Sequence, residues 1–209
     1  MSPVRSLLFV CILLLVPSTR SWGDWRTEAG YSDLAAELGI ALPTGAGIEA
    51  YQCEAPESGV HYLPIEMLTT PTLLGGQTYH ALAGLGSASG HAAAVGSVFY
   101  QTAGISDGVT TVHSDEALNF VSDLAVGNAP PVFPGDVQNF SWVGSTSDST
   151  ELLRRFDFML DRDRKTAVVA PSNDTGPVME LMTSSHHAIC AGVFSGVHNR
   201  GGTVIDGVG

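Results

Sequence analysis

Downstream of residue 44 the sequence alternates short β-rich runs with helix-forming segments, and this rhythm constrains the fold more than any other feature. Composition and periodicity predict strands over 48–53, 109–112, 137–143, 166–170 and 187–193, and helices over 92–100, 115–124 and 148–160. Strands separated by helices pair in parallel, because each helix returns the chain to the same edge of the sheet. The sequence therefore predicts an α/β fold, a doubly wound, mainly parallel sheet with helices on both faces.

Two helix starts are predicted from local capping patterns. Ser114 is positioned to cap the second helix, with Asp115 and Glu116 in its first turn, where the helix dipole favours acidic residues. Asp148 and Glu151 have the spacing of a capping box ahead of an apolar stripe that ends at Leu160. Both patterns predict that a side chain binds the first backbone amides of its helix.

The first 21 residues have the order of charges and apolar residues found in secretory signal peptides. Arg5 precedes the apolar run Leu7–Val16, and Thr19 and Ser21 are small residues at the −3 and −1 positions of a cleavage site before Trp22. We predict a signal peptide over 1–21, a lead-in segment over 22–44 and a main domain over 45–209. The mature protein is then secreted or periplasmic. No later apolar run is long enough for a membrane anchor, so no membrane partner is expected after the signal is removed.

The charge balance excludes two classes of partner. The chain has 9 Lys and Arg against 21 Asp and Glu, a net charge of −12. A nucleic-acid-binding protein should carry a basic face, and docking on anionic lipid also requires positive charge. We therefore expect neither nucleic acid nor an anionic membrane surface as a partner.

Two cysteines, Cys53 and Cys190, remain after the signal peptide. An even pair in an exported protein leaves a disulfide open as an alternative. Both lie in apolar, strand-like runs, where buried free thiols are common, and disulfide geometry is strict. The prediction is two buried free thiols.

Polar residues with catalytic chemistry stand at the predicted strand ends. Glu54 follows the first strand, His91 begins a helix, Ser141–Gly144 ends a third strand and Asn173 follows the strand after that. In a parallel sheet these positions share the carboxyl edge, where ligands bind. A carboxylate that orients an imidazole, together with an amide that binds an oxyanion, suits acyl transfer.

The order and context of these residues resemble the subtilisin-like serine proteases (subtilases). The blocks that carry the resemblance are Gly45–Glu54, Ser89–Gly96, Ala103–Val109, Asn139–Gly144, Ala170–Gly176 and Ser184–Gly192. The resemblance implies that His91 is the catalytic histidine and that Glu54 stands at the catalytic acid position. It also implies that Asn173 binds the oxyanion and that Ser141, Trp142, Val143 and Gly144 bind substrate.

Further properties follow from the same resemblance. It implies a secreted endopeptidase that acts as a monomer on polypeptide substrates, with structural calcium as the one metal to be considered. No other cofactor is expected.

Three departures from the family shape the functional hypotheses. Glu replaces Asp at position 54, and 22–44 is too short for a folding prodomain. No Gly-Thr-Ser-x-Ala block exists in the chain, and only 118 residues follow His91. Because the subtilisin serine follows its histidine by roughly 150 residues, we expect a catalytic domain that is incomplete at its carboxyl terminus. A non-catalytic, subtilase-like peptide-binding protein is the alternative, and the reading frame after Gly209 separates the two.

Two other motifs are interpreted as coincidental. Gly104–Gly108 fits the G-x-S-x-G nucleophile elbow around Ser106, but the predicted order of helix and strand around it is inverted. His186 and His187 suggest a metal site, yet adjacent strand residues point to opposite faces. We expect no metal site there.

Overall fold

The computed structural model describes residues 25–28, 30–64, 76–84, 86–101, 104–171 and 181–191. The chain divides into two compact units, Met1–Leu42 and Pro43–Gly209. In the first unit, helices α1 (Trp25–Glu28) and α2 (Tyr31–Leu38) are followed by a 3-10 turn, and α2 buries none of its residues. The predicted signal peptide, 1–21, lies outside the described residues. No helix in the described ranges is long and apolar enough to cross a membrane.

The second unit is built on a parallel sheet of six strands in the order β3-β5-β1-β6-β7-β8. A smaller parallel pair, β2 with β4, lies outside this sheet. The predicted α/β class with a mainly parallel sheet is confirmed. The strands are β1 (Glu49–Glu54), β2 (His61–Leu63), β3 (Thr78–Ala81), β4 (Ser87–Ala88), β5 (Thr111–Glu116), β6 (Val137–Phe140), β7 (Thr166–Val169) and β8 (Ala188–Cys190); the helices are α3 (Gly90–Phe99), α4 (Ala117–Ala125) and α5 (Ser149–Asp163).

The central strand β1 is covered on both faces, as the doubly wound prediction requires. Successive side chains of a strand point to opposite faces. Tyr51 and Cys53 lie in the larger core cluster, which includes residues of α4 and α5. Ala50 lies in a second cluster with Tyr100, the C-cap residue that directly follows α3. Five aromatic rings with centroids 4.7–6.2 Å apart fill the first face: Tyr51, Phe120, Phe133, Phe140 and Phe156.

The predicted start of α4 is wrong. Ser114 does not cap this helix; it is buried within β5, where its register partner is Gln52. The strand continues to Glu116, whose carboxylate accepts hydrogen bonds from the backbone N–H groups of Leu118 at 2.9 Å and Asn119 at 3.2 Å. Burial of the serine in the parallel ladder moves the helix start by two residues, and Glu116 is the cap instead.

The predicted capping box of α5 is also wrong. Asp148 makes no side-chain capping hydrogen bond. Ser149 Oγ accepts from the backbone N–H of Thr146 at 3.0 Å and donates to its carbonyl oxygen at 2.8 Å, so the local turn uses the serine instead.

Strand β6 ends at Phe140, three residues before the predicted end, and β8 is also shorter than predicted.

Gly135 controls the approach of β6 to β1 and provides a stability test. Its φ is +79°, and an added Cβ would lie 2.7 Å from Tyr51 Cβ and 2.9 Å from Tyr51 N. Gly127 has a similar φ of +73°, but its nearest contact would be at 3.8 Å. We expect Gly127→Ala to lower the free energy of unfolding by about 1–2 kcal/mol through backbone strain. Gly135→Ala should cost about 1–3 kcal/mol more, through overpacking.

Urea unfolding followed by circular dichroism measures both variants. Equal losses for Gly135→Ala and Gly127→Ala would contradict the close packing of residue 135 on β1.

Candidate active site

The structure brings together two of the predicted catalytic side chains. Glu54 ends β1 at the carboxyl edge of the sheet, and His91 is the second residue of α3. Ser89, the residue before the helix, accepts a hydrogen bond from the backbone N–H of Ala92 at 3.0 Å and so fixes the first turn. From that turn His91 Nε2 lies 3.2 Å from Glu54 Oε2.

The hydrogen on His91 Nε2 is directed to Ser141 and not along the line to Glu54. Nε2 lies 3.2 Å from the carbonyl oxygen of Ser141, which can only accept, so Nε2 carries the proton. Glu54 Oε2 has no aligned hydrogen-bond partner among the described residues. Its contact with His91 is therefore not a hydrogen bond, and it becomes an ion pair when the histidine ring is protonated. In the neutral ring this tautomer leaves Nδ1 as the basic nitrogen.

Burial and charge shift the two groups in a coupled way. The Glu54 side chain is fully buried, and that of His91 is 50% exposed. Burial raises the pKa of Glu54 above its ordinary value, against the contacts with His91 and Gln52, which lower it. The contact with Glu54 raises the pKa of His91, against partial burial. Each charge is thus favoured by the presence of the other.

Glu57 fastens the loop after β1 to the helix that carries His91. Its carboxylate accepts from the backbone N–H groups of Gly90 at 2.8 Å and His91 at 3.2 Å. Hydrogen bonding from Ser89 and these two amides lowers the pKa of Glu57. The sequence alone does not indicate this role of Glu57, because a carboxylate so far from the helix in the chain leaves no local capping signal.

The predicted substrate-binding segment is only partly presented at this edge. The Ser141 carbonyl contacts His91, but the Trp142 indole is buried, and its N–H points to Cys53 Sγ at 3.3 Å. Gly144 forms an isolated antiparallel bridge in which its carbonyl accepts from the N–H of Leu181 at 3.0 Å. Val143 is half-buried. A ligand on this segment would therefore contact backbone more than the tryptophan ring.

The predicted oxyanion residue, Asn173, lies outside the described residues. The described chain leaves β7 at Val169 and continues to Pro171 on the carboxyl side of the sheet. There the backbone N–H of Ala170 donates to the carbonyl of Phe140 at 3.2 Å. The role of Asn173 stays a prediction.

The interpretation of Ser106 as the serine of a nucleophile elbow is not supported by its position in the fold. Residues 104–108 follow α3 and precede β5, so the helix comes before the strand and the order is inverted. The segment also stands at the amino edge of the parallel sheet, whereas Glu54 and His91 stand at the carboxyl edge. Ser106 is therefore remote from the histidine by topology.

The backbone of the histidine pair, His186 and His187, is hydrogen-bonded to α5. The backbone N–H groups of His186 and His187 donate to Asp157 Oδ1 at 3.0 and 3.2 Å. In the described part of the chain, no three His, Cys, Asp or Glu side chains are grouped to hold a metal ion.

Both predicted free thiols are free in the structure. Cys53 is buried beside the site, and burial raises the pKa of its thiol. Cys190 is exposed on β8, so the prediction of burial is wrong for this residue. Its run is apolar, but β8 stands at the end of the six-strand order, where a side chain has a neighbouring strand on one side only.

The site can hold a proton on an imidazole beside a buried carboxylate. No protein-family model matches the chain, and no curated protein is significantly similar to it in sequence. The assignment of chemistry therefore depends on the geometry of His91 and Glu54. This geometry suits a general base whose cation is stabilised by a fixed negative charge.

The coupling between Glu54 and His91 can be measured by NMR titration of the histidine ring. We expect the pKa of His91 to lie above its ordinary value of 6.5 and Glu54→Gln to lower it. The stability that this shift contributes is fully present below the unfolded-state pKa and is lost as the pH rises through the folded-state pKa.

Glu151→Gln is the matched control, since it removes the same charge from the exposed first turn of α5. A pKa of His91 that moves equally in Glu54→Gln and Glu151→Gln would contradict a specific pair.

Proposed function

We propose that this chain is the amino-terminal part of a secreted, subtilisin-like serine endopeptidase that hydrolyses peptide bonds by acyl transfer. The observation that carries the proposal is the 3.2 Å contact between His91 Nε2 and the buried carboxylate of Glu54. His91 is the general base and then the general acid, and Glu54 orients and stabilises its cation. Asn173 donates a hydrogen bond to the oxyanion, and the nucleophile is the serine of a Gly-Thr-Ser-x-Ala block that follows Gly209 in the longer chain.

The described geometry supports a particular use of the two ring nitrogens. Nε2–H is held at the Ser141 carbonyl, so Nδ1 is the nitrogen that takes the proton from the serine hydroxyl. The positive charge that then forms lies beside Glu54, whose burial makes it an effective stabiliser of a nearby cation. The same proton passes to the leaving amine when the peptide bond breaks.

The arrangement of the sheet supports the more specific hypothesis, a subtilisin-like fold within the α/β class. Glu54, His91 and Ser141 come from three separate segments in chain order, and a parallel sheet brings them to one edge. The polypeptide substrate would lie along Ser141–Gly144 and contact mainly backbone. The protein would act as an exported monomer, without nucleic acid, membrane or organic cofactor.

The nucleophile provides the direct test of this proposal. We expect the 209-residue chain to remain unlabelled by a fluorophosphonate probe, because a serine beside His91 is required for reaction. We expect the genomic reading frame to continue into a Gly-Thr-Ser-x-Ala block about thirty to fifty residues on, given the serine spacing. The longer chain should be labelled at that serine.

Three results would overturn the proposal or change it. Labelling of the 209-residue chain itself would contradict the assigned nucleophile. An in-frame stop directly after Gly209 would favour the non-catalytic peptide-binding protein. A longer chain that contains the block and stays unlabelled would contradict the peptidase.

Substitutions in the longer chain test the individual roles. His91→Ala should remove nearly all peptidase activity, because a serine hydroxyl is a weak nucleophile without its base. Asn173→Ala should lower kcat about 10²–10³-fold with little change in KM, because an oxyanion donor acts mainly in the transition state. Steady-state hydrolysis of a peptide substrate measures both. Asn128→Ala, in the exposed loop after α4, is the control and should keep wild-type turnover. Wild-type turnover in Asn173→Ala would show that Asn173 has no role in the mechanism.

A further inference from the structure

A buried glutamine lies directly behind the acid of the site. Gln52 is fully buried on β1, two residues before Glu54 and on the same face of the strand. Its Nε2 donates to Glu54 Oε1 at 2.7 Å and to the carbonyl oxygen of Ala92 at 2.9 Å. One amide group thus binds the acid and the residue next to His91.

The other end of the amide is held by Tyr100, the C-cap residue of α3. Tyr100 Oη donates to Gln52 Oε1 at 2.6 Å, and its ring is buried. The two acceptors at Nε2 fix which end of the amide faces Glu54. Gln52 therefore contacts α3 near both of its ends, at Ala92 and at Tyr100, and the helix cannot shift along the sheet without breaking one of these hydrogen bonds.

We propose that Gln52 is a positioning residue, which keeps the buried carboxylate of Glu54 ionised and directed at His91, and that Tyr100 locks Gln52 in place. An isolated buried carboxylate is costly and tends to take up a proton. A hydrogen bond from an amide to the charged form opposes this, and such charge-assisted bonds are stronger than neutral ones. Gln52 occupies Oε1, so the other oxygen, Oε2, is left for the histidine.

Other charged groups near the pair do not replace this contact. Glu57 opposes ionisation of Glu54 by charge repulsion, although it favours the cation of His91. Glu116, the register partner of Glu54 on β5, uses its carboxylate to cap α4. The groups whose contacts favour ionised Glu54 are His91 and Gln52.

Only the catalytic use of Glu54 and His91 rests on the proposed function. The test measures the titration midpoints of these two side chains directly. The 209-residue chain is labelled with ¹³C in the glutamate carboxyl groups and histidine rings, and it is titrated by NMR. In Gln52→Met we expect the titration of Glu54 to move to higher pH and that of His91 to lower pH. Tyr100→Phe removes only a hydroxyl and should move both midpoints in the same directions by less.

Gln138→Met is the matched control. Gln138 is equally buried, but it lies on β6 on the opposite face of the sheet, and its amide donates to Pro134 at 3.3 Å. This variant should leave the titration midpoints of Glu54 and His91 unchanged, although it disturbs packing about as much as Gln52→Met does.

Unchanged midpoints in folded Gln52→Met would overturn the proposal, as would equal shifts in Gln138→Met. If Gln52→Met does not fold, Tyr100→Phe decides by the same criterion. A missing serine block would defeat the proposed peptidase and leave these titrations as they are, so the two failures are distinguishable.

Discussion

The burial of one carboxylate, Glu54, is the constraint on which the described site depends. Removing an ionised carboxylate from water costs several kcal/mol even after the protein relaxes, so nearby groups must offset that cost. Gln52, on β1, provides a hydrogen bond and also contacts α3 at the Ala92 carbonyl and at Tyr100. His91, on α3, provides positive charge when its ring is protonated. The helix must therefore lie across this face of the sheet with its first turn at the carboxyl edge.

The two faces of the sheet have different characters. The face under α4 and α5 is filled by interlocking aromatic rings, and packing of this kind resists small displacements of β1 and β6. The face under α3 carries the polar chain from Tyr100 to Glu54. An apolar layer thus supports a polar one: β1, which carries Glu54, and β6, which leads to Ser141, are packed from the face opposite the His91–Glu54 contact.

Periodicity predicted the parts of the fold in which burial follows a simple repeat. The apolar stripe of α5 and the central strand β1 are examples. The predicted end of β6 was three residues too late, but its carboxyl end still brings Ser141 to the edge at which β1 ends with Glu54. The predictions that failed, or were never made, depend on partners distant in the chain. Ser114 has a favourable cap sequence, but the ladder with β1 buries it. Glu57 and Gln52 look ordinary in sequence, and their roles exist only once α3 is docked.

The position of β1 at the centre of the sheet has a consequence for how the protein is made. The contacts that complete its surroundings span long stretches of chain: 64 residues from Tyr51 to Asp115 and 89 from Cys53 to Trp142. Closing such loops costs entropy before any contact repays it, so strands paired in this way form late. During synthesis, the imidazole and the carboxylate cannot be held in their final geometry until Ser141 has left the ribosome.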